Sequence, residues 1–375
     1  MHLTLFFTRG MSLKAWDEIG MFDREVALYE RLCEMGVSIS FVTYGNSDDL
    51  EFQERLPGIE ILCNRWDFPI RVYEKFLHRF HGKALRDCDL IKTNQTKGAE
   101  IALRSAKFWN KPLIARMGYM MSEFVAYDYG NNSLASKRAY DLESKVFSKA
   151  QRIVVTTQTM ARDIADRIPE VERSTVIIPN YVDTNMFYPD SNISKDFDLV
   201  FVGRITPDKN ISSLLEAIRD IDATLLIIGN GHLKNELQVC YESINERLKW
   251  IDQVPNAKLP TYLNRAGIYV LPSLSEGHPK TLIEAMACGL TVLGSDIPPI
   301  KEIINHGKNG FYCGTDPEII RSVIEKLLVK PGLCKSLGEN ARKYAVENFS
   351  LDRILEIEYE LYLKILSERK TETLN

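Results

Sequence analysis

Two glutamates and a lysine stand at four-residue intervals, as Glu276, Lys280 and Glu284, where the chain changes from a strand-like to a helix-like pattern. The start of a helix leaves backbone N–H groups without partners, and the helix dipole attracts anions there. A lysine adds a full positive charge, and carboxylates accept hydrogen bonds. We therefore expect this stretch to offer a phosphate site with two carboxylates beside it.

The elements around these residues follow from local composition. Residues 267–271 are apolar and β-rich, which predicts a buried strand, and residues 272–278 predict a loop. Pro279 is expected at the first helical position, where its missing N–H matters least, and Gly289 is expected just past the helix end. The free N–H groups would then belong to Lys280, Thr281 and Leu282.

A simpler interpretation treats Lys280 and Glu284 as a solvated ion pair and Glu276 as a loop charge. Exposed pairs at this spacing are common and contribute little to stability. Spacing alone leaves the two interpretations about equal.

A second group of residues follows the strand predicted at 199–202. Gly203 lets the backbone approach a ligand closely, Arg204 offers a planar fork for phosphate, and Lys209 offers a compact charge. Parallel α/β sheets bind ligands at the carboxyl ends of their strands. The alternative is a polar loop before a helix that starts at Asn210.

Two further strand ends in the second half carry weaker signals. Gly229 and Gly231 match part of a dinucleotide-binding fingerprint, but Lys234 occupies the place of its third glycine. We interpret Gly229 as part of a tight turn at the same edge. Gln253 and Val254 lie at the next edge position.

In the first half, Gly10 follows a predicted strand, and Arg116 and Gly118 stand at the end of another, so they are further candidates for a ligand site. Three Asp-x-Asp pairs precede strands or end the helices before them, at the opposite edge of each sheet. We therefore expect no metal site at these pairs, which are Asp87/Asp89, Asp196/Asp198 and Asp220/Asp222.

The string Pro-Ser-x-x-Glu-Gly-x-Pro-x-x-x-x-Glu-Ala-Met-Ala-x-Gly, from 272 to 289, resembles the signature of retaining glycosyltransferases of family 4. The segment from Ile178 to Pro189 resembles that family's interdomain segment. The resemblance implies the GT-B fold, an α/β architecture of two Rossmann-like domains whose parallel sheets face a central cleft.

The resemblance also implies roles for individual residues. Arg204 and Lys209 would grip the donor's diphosphate, Glu276 the sugar hydroxyls and Glu284 the ribose. The remaining donor-binding candidates are Gly203, Gly229, Gln253, Val254, Gly277, His278, Lys280, Thr281 and Leu282. The nucleotide-sugar would be a co-substrate, with no cofactor and no metal.

The first half departs from the family pattern at two places. Many relatives carry a Gly-Gly pair where this chain has Gly10 alone, and His-Gly where it has Met117 and Gly118. In the family this histidine normally helps to position the donor sugar, and Met117 stands in its place here.

Bulk composition narrows the class of protein. The chain has 375 residues, a net charge of −4 and 45% hydrophobic residues, which suits a globular protein and argues against a nucleic-acid partner attracted by bulk charge. Seven scattered cysteines include no Cys-x-x-Cys pair, so neither a disulfide framework nor a zinc site is indicated. Without a signal sequence or an 18-residue apolar span, we expect a cytoplasmic protein that can still contact a membrane peripherally.

Strand and helix patterns alternate through both halves, which predicts two parallel sheets covered by helices. The predicted helices include 17–34, 68–86 and 232–247. The turn-rich segment 179–195 separates them. We expect an acceptor-side domain at 1–182, a donor-binding domain at 183–350, and a last helix, 351–375, that packs back on the first domain.

The function expected from these observations is metal-independent transfer of a sugar, with retention, from a UDP- or GDP-sugar to a glycan or lipid-linked acceptor. This suits a hexosyltransferase of polysaccharide biosynthesis. The alternatives are a nucleotide-sugar epimerase or hydrolase on the same fold, or a non-catalytic nucleotide-sugar-binding protein. The intact set Arg204, Lys209, Glu276 and Glu284 argues against the non-catalytic alternative.

Overall fold

The computed structural model describes residues 1–374, with side-chain environments through residue 371. The chain divides into two compact units. The first unit is Met1–Pro179 together with the chain from Leu355 onward, and the second is Asn180–Ile354.

The first unit contains parallel strands separated by helices. Its strands are β1 (His2–Phe6), β2 (Ser38–Val42), β3 (Ile59–Leu62), β4 (Leu90–Thr93), β5 (Leu113–Arg116), β6 (Arg152–Val155) and β7 (Thr175–Ile177). Its helices are α1 (Leu13–Glu18), α2 (Phe22–Glu34), α3 (Ile70–Phe80), α4 (Gly82–Asp87), α5 (Ala99–Phe108), α6 (Met121–Tyr129), α7 (Leu134–Phe147) and α8 (Gln158–Arg167). The strands pair in the order β3-β2-β1-β4-β5-β6-β7, in parallel throughout.

The second unit repeats this plan with a six-stranded sheet. Its strands are β8 (Phe197–Val202), β9 (Leu225–Ile228), β10 (Leu248–Ile251), β11 (Ala266–Leu271), β12 (Thr291–Gly294) and β13 (Phe311–Tyr312). The helices that follow in the chain are α9 (Ile211–Ile218), α10 (Lys234–Cys240), α11 (Leu259–Asn264), α12 (Lys280–Ala287), α13 (Pro298–Lys301), α14 (Pro317–Leu328), α15 (Pro331–Phe349) and α16 (Leu351–Leu374). The strand order is β10-β9-β8-β11-β12-β13, again parallel.

The hydrophobic core on both faces of each sheet explains why these apolar runs of residues form strands. All four residues of β9, Leu225 to Ile228, are buried, as expected for a parallel strand covered by helices on both faces. In each sheet the strand order reverses between its first and fourth strands, which are β1 and β4 in one and β8 and β11 in the other. Loops from the carboxyl ends of these strands meet at that reversal, where open α/β sheets bind ligands.

Helix α16 belongs largely to the first unit and is fastened there by buried polar groups. The Lys92 ammonium on β4 donates to Glu358 Oε1 at 2.6 Å and to the Tyr362 hydroxyl at 3.0 Å. All three side chains are buried, and burial lowers the pKa of Lys92 although Glu358 opposes that shift. Near the end of α16, Arg152 on β6 donates to Glu368 at 2.6 Å.

Several predicted elements differ from the observed ones. The helix expected from 17 to 34 is two helices, because Gly20 adopts a left-handed φ of 68° between them. The helix expected from 68 to 86 is divided at His81 into α3 and α4. The helix expected from 232 to 247 ends at Cys240, and α6 and β10 were not predicted from the sequence.

Candidate active site

Two loops are fastened together at the strand reversal of the second sheet. The loop after β11 donates from Leu274 N to Asp208 O, in the loop after β8, at 2.8 Å. Asn210, in a left-handed conformation with φ 53°, donates its side-chain amide to Pro272 O at 3.1 Å. These bonds place charged residues of both loops side by side.

Lys209 lies between two carboxylates. Its Nζ is 2.8 Å from Glu276 Oε1 and 3.2 Å from Asp208 Oδ2, and the three side chains are only 10–12% exposed. The Ser273 hydroxyl also donates to Glu276 Oε1, at 2.8 Å. Arg204 is 67% exposed, with its guanidinium 3.8 Å from Asp208 Oδ2. The group therefore combines one fixed cation with one that can move to meet a ligand.

The environment of Asp208 favours its charged form. Burial disfavours that form, but the Thr206 hydroxyl and the cations of Lys209 and Arg204 outweigh burial and lower the pKa of Asp208. The carboxylate keeps a negative charge next to Lys209 at neutral pH, so Lys209 is held in position before any ligand arrives.

Helix α12 begins beside this group, one residue later than expected. Pro279 is the N-cap, with ψ 108°, and Lys280 is the first helical residue. At the other end Gly289 has the left-handed φ of 72° that was expected of it. The side chain of Thr281 is hydrogen-bonded to the Tyr269 hydroxyl at 2.7 Å, and Leu282 is buried. Their predicted contribution to anion binding therefore rests on their backbone N–H groups.

Glu284 is not a surface residue. Its side chain is 1% exposed and accepts a hydrogen bond from Asn256 Nδ2 at 3.0 Å. The interpretation of Lys280 and Glu284 as a solvated pair is therefore wrong. Glu284 is thus a buried carboxylate on the helix that follows the loop of Glu276, and its binding of a ligand stays a prediction.

Gly277 and His278 are buried in the loop before α12. The His278 ring packs edge-on against Phe349, with centroids 5.2 Å apart, and the His278 carbonyl accepts a hydrogen bond from Asn180 at 2.7 Å. These contacts fix the loop. Donor binding by the two residues stays a prediction.

The turn after β9 contains a glycine, Gly229, which allows the neighbouring strand ends to approach closely. Gly229 has φ 149°, and a Cβ there would lie 1.8 Å from the carbonyl oxygen of Gly203. Only glycine lets the two strand ends lie this close, so Gly229 supports the loop that carries Arg204 and Lys209. After β10, Gln253 is exposed and Val254 is half-buried, and their contact with a nucleobase stays a prediction.

The candidates in the first unit lie at the carboxyl edge of its sheet. Gly10, with φ 84°, lies in the loop after β1. Arg116 ends β5, and its guanidinium donates to Asn94 O at 3.1 Å. Gly118 N donates to Gln95 Oε1 at 2.8 Å. The side chain of Met117, at the position of the family's histidine, is fully buried. Loops after β4 and β5 are thus fastened together by hydrogen bonds whose acceptors are neutral.

The Asp-x-Asp pairs have structural partners. Asp89 accepts from the backbone of His2, Asp196 pairs with Arg265, and Asp198 accepts from Thr224. Asp220 pairs with Arg321. Over the residues that the structure describes, no three His, Cys, Asp or Glu side chains form a group suited to a metal ion.

Several supporting residues were not predicted from the sequence. Asp208 lies in the same motif as Arg204 and Lys209, and its position next to Lys209 is a signal that could have identified it. Asn256 lies 28 residues from Glu284 along the chain, so no local pattern could link them. The same holds for Asn210 and Pro272, which are 62 residues apart.

Comparison with known proteins assigns the family. The family model described as glycosyl transferases group 1 matches residues 186–344, and that described as Glycosyltransferase Family 4 matches residues 26–186. Together they account for most of the chain. The chain belongs to the family 4 glycosyltransferases.

One similar curated protein is the MMP alpha-(1->4)-mannosyltransferase of Mycolicibacterium hassiacum, which is 23% identical over 72% of this chain and 64% of its own length. The chain spans 64–66% of the length of three of the curated relatives that it matches.

Solved structures of glycosyltransferases share the fold. Sucrose-phosphate synthase from Thermosynechococcus elongatus superimposes with a TM-score of 0.81 at 19% identity, covering 98% of this chain and all of the other. Anabaena HepE, solved in complex with UDP-glucose, gives a TM-score of 0.74 at 16% identity, covering 98% of this chain and all of that one. These matches confirm the GT-B fold class. Within the described residues, no helix of this family 4 member is long and apolar enough to cross a bilayer.

Proposed function

We propose that this protein transfers a sugar from a nucleoside diphosphate donor to a glycan or lipid-linked acceptor, with retention of the anomeric configuration. The observation that carries the proposal is the Lys209 ammonium held between Asp208 and Glu276, at the strand reversal of the second sheet. Family membership and the UDP-glucose in the Anabaena relative support a UDP-sugar or a related donor.

In this proposal the charges at the reversal act on the leaving group. When the bond between the anomeric carbon and the donor phosphate breaks, negative charge develops on the diphosphate. Lys209, Arg204 and the N–H groups that open α12 stabilise that charge, which is the most effective place for electrostatic help. Preformed cations of this kind take the role that a divalent metal has in other transferases. We therefore propose activity without a metal or a resident cofactor.

Glu276 and Glu284 hold the donor in position. In family 4 enzymes the corresponding carboxylates bind sugar and ribose hydroxyls, respectively. Here Glu276 also pairs with Lys209, so a single residue links the sugar position to the phosphate position. We place the acceptor at the carboxyl edge of the first sheet, near Gly10, Arg116 and Gly118.

Retention follows from how the acceptor loses its proton. An inverting enzyme needs a base on the face opposite the leaving group. Asp17 is paired with Arg55 at 2.7 Å, and Met117 cannot accept a proton. In the proposed step the acceptor oxygen forms its bond on the face that the diphosphate leaves. Its proton passes to the departing phosphate oxygen, and configuration is kept.

Product NMR with a chelator control tests the proposal. The protein is incubated with UDP-, GDP- and ADP-sugars and an acceptor extract, with and without EDTA, and the first-formed product is analysed for its anomeric coupling. We expect an α-linked product from an α-linked donor and equal rates with EDTA. A β-linked product would overturn retention and make Glu123, whose pKa burial raises, the first base to examine. Loss of activity in EDTA that Mg²⁺ or Mn²⁺ restores would overturn metal independence.

A further inference from the structure

An exposed surface of aromatic, aliphatic and basic side chains follows β3 in the first unit. Residues 65–72 are all exposed, and they include four large apolar side chains with 37–45% of their area accessible, namely Trp66, Phe68, Ile70 and Val72. We call these residues, together with the outward side of α3, the α3 surface. Exposed apolar groups this close together are unusual outside interaction sites.

The loop that presents the aromatic side chains is rigidly built. The Asn64 side chain donates to Phe68 O at 2.8 Å and accepts from Phe68 N at 3.2 Å. Asp67 adopts a left-handed φ of 52° within the same loop. The ring centroids of Trp66 and Phe68 lie 5.2 Å and 4.9 Å from that of Phe80. The exposed rings are therefore held in fixed positions, and their exposure does not result from poor packing of the loop.

Helix α3 carries two parallel rows on its outward side. Val72, Phe76 and Phe80 recur every four residues and form an apolar row next to the loop aromatics. Arg71, Lys75 and Arg79 recur at the same interval, one position earlier, and form a basic row beside it, all three exposed. Apolar and basic rows side by side are typical of helices that lie in the membrane–water interface.

The charge of this region opposes that of the whole chain. Residues 65–83 contain five Lys and Arg but two acidic residues, in a protein of net charge −4. One of the acidic residues, Glu74, faces inward and is paired with Arg9 at 2.5 Å. On the outward side, Asp67 is therefore the one acidic residue within 65–83. The exposed basic side chains there include Arg65 and Lys83.

We propose that the α3 surface docks the first unit on a lipid bilayer rich in anionic lipids. The basic row would lie at the phosphate level, and Trp66, Phe68 and Val72 would enter the interface, where aromatic rings are favoured. A second copy of the chain fits less well, because a two-fold contact would bring the same basic rows together. Nucleic acid also fits less well, since Ile70 and Val72 offer nothing to bases or phosphates. The inference does not depend on the proposed function.

Vesicle co-sedimentation tests the proposal on the full chain. Vesicles of phosphatidylcholine with 30% phosphatidylglycerol are compared with vesicles of phosphatidylcholine alone, at low and high salt. We expect binding to the anionic vesicles that weakens with salt. Arg71→Glu with Lys75→Glu should lower the partition coefficient about tenfold or more, and Trp66→Ser with Val72→Ser should lower it about fivefold.

Matched controls lie on another exposed part of the same unit. Lys137→Glu with Arg138→Glu makes the same charge change on α7, and Tyr129→Ser with Leu134→Ser removes two exposed apolar side chains. Both controls should bind like the wild type. Trp66→Phe should keep binding but lose the blue shift of tryptophan fluorescence on membrane contact. Circular dichroism verifies that each variant is folded.

Three results would overturn the proposal. One is equal binding, or none, on the two kinds of vesicle. Another is an equal loss of binding in the α7 controls. The third is a dimer or a nucleic-acid complex, detected by sedimentation velocity, that the α3 variants abolish while vesicle binding persists.

Discussion

The carboxyl edges of the two sheets have the same strand order but different chemistry. In the second sheet, the loops at the reversal bring together Lys209, Asp208 and Glu276, all nearly buried. In the first sheet, Gly118 and Gln95 join adjacent loops through an amide hydrogen bond. Topology thus places loops at an edge in both sheets, and we propose that the cluster around Lys209 makes the second edge the one that binds the donor's diphosphate.

Buried charge also occurs in the first unit, both at its carboxyl edge, where Arg9 in the loop after β1 pairs with Glu74, and inside its core. Lys92 and Glu358 pair inside the core, where no ligand can reach them. The comparison therefore predicts opposite consequences for two buried lysines. Loss of the pair around Lys92 should affect stability, and loss of Lys209 should affect turnover.

The largest effect is expected for Glu358→Ala, which leaves Lys92 in the core without its carboxylate. Removing one partner of a buried ion pair typically lowers the free energy of unfolding by about 3–5 kcal/mol. Urea unfolding measures the loss. Glu368→Ala breaks a pair whose carboxylate is 33% exposed and should lose about 1 kcal/mol or less.

A double variant separates charge from packing at that position. Lys92→Met with Glu358→Leu should regain most of the stability, because well-packed apolar groups often replace a buried pair without loss. If Glu358→Ala unfolds like the wild type, the pair is not what holds α16 to the first sheet.

In the second unit, Lys209→Ala and Arg204→Ala should each lower kcat about a hundredfold or more, as loss of one charge-stabilising group often does. Steady-state kinetics with the nucleotide-sugar donor measures this. Arg265→Ala is the matched control, because Arg265 pairs with Asp196 at the amino-terminal edge of the same sheet. If folded Lys209→Ala turns over within a few-fold of the wild-type rate, the charge of Lys209 does not act in turnover, and the proposed difference between the two edges is wrong.

A smaller effect is expected for Glu284→Gln. The substitution removes a buried charged acceptor and should weaken nucleoside diphosphate binding by roughly 1–3 kcal/mol. Isothermal titration calorimetry measures the affinity, with Glu216→Gln, a half-exposed carboxylate on α9 paired with Arg219, as the control. Unchanged affinity would leave Glu284 as a purely structural partner of Asn256.

The last prediction concerns pH and the first unit. Burial lowers the pKa of His81 to about 4, and its ring nitrogen is hydrogen-bonded to the Tyr73 hydroxyl at 2.9 Å. As the pH falls below 6.5, the ordinary pKa of histidine, His81 takes up a proton in the unfolded chain but stays neutral in the native protein. The free energy of unfolding should therefore fall by about 2 kcal/mol by pH 5.

Urea titrations at pH 7.5 and pH 5 measure this slope. His81→Asn removes the titrating group, so its slope should be flatter even if the variant is less stable overall. His232→Asn, at an exposed position in the second unit, should keep the wild-type slope. Equal slopes for all three proteins would show that His81 does not link pH to stability.

How far the sequence predicts this structure also differs between the two units. The strand at 266–271, the loop and α12 were predicted closely, because each has its own local signal in apolar residues, proline or glycine. Glu284 was placed on the correct helix, but the sequence left its burial open. Burial depends on α11 and the loop that carries Asn256, which no local pattern reveals.

In the first unit, α3 and α4 were merged into one predicted helix, because the pattern of apolar residues continues across His81. At the interruption the chain packs closely against a residue that is distant in sequence. A side chain at Gly82 would approach the ring of Trp109 to 3.1 Å. Such long-range contacts explain why elements were easier to predict than their ends.

The contact between Lys92 and α16 has a consequence for the order in which the protein folds. Lys92 lies 266 residues before its partner Glu358, and the whole second unit is synthesised between them. At about 5–20 residues per second, a ribosome needs on the order of tens of seconds to cover that distance. During this time the sheet of the first unit lacks the carboxylate that neutralises its central lysine. The unit that is synthesised first is therefore the last to complete its core, because its sheet stays without α16 until that helix has left the ribosome.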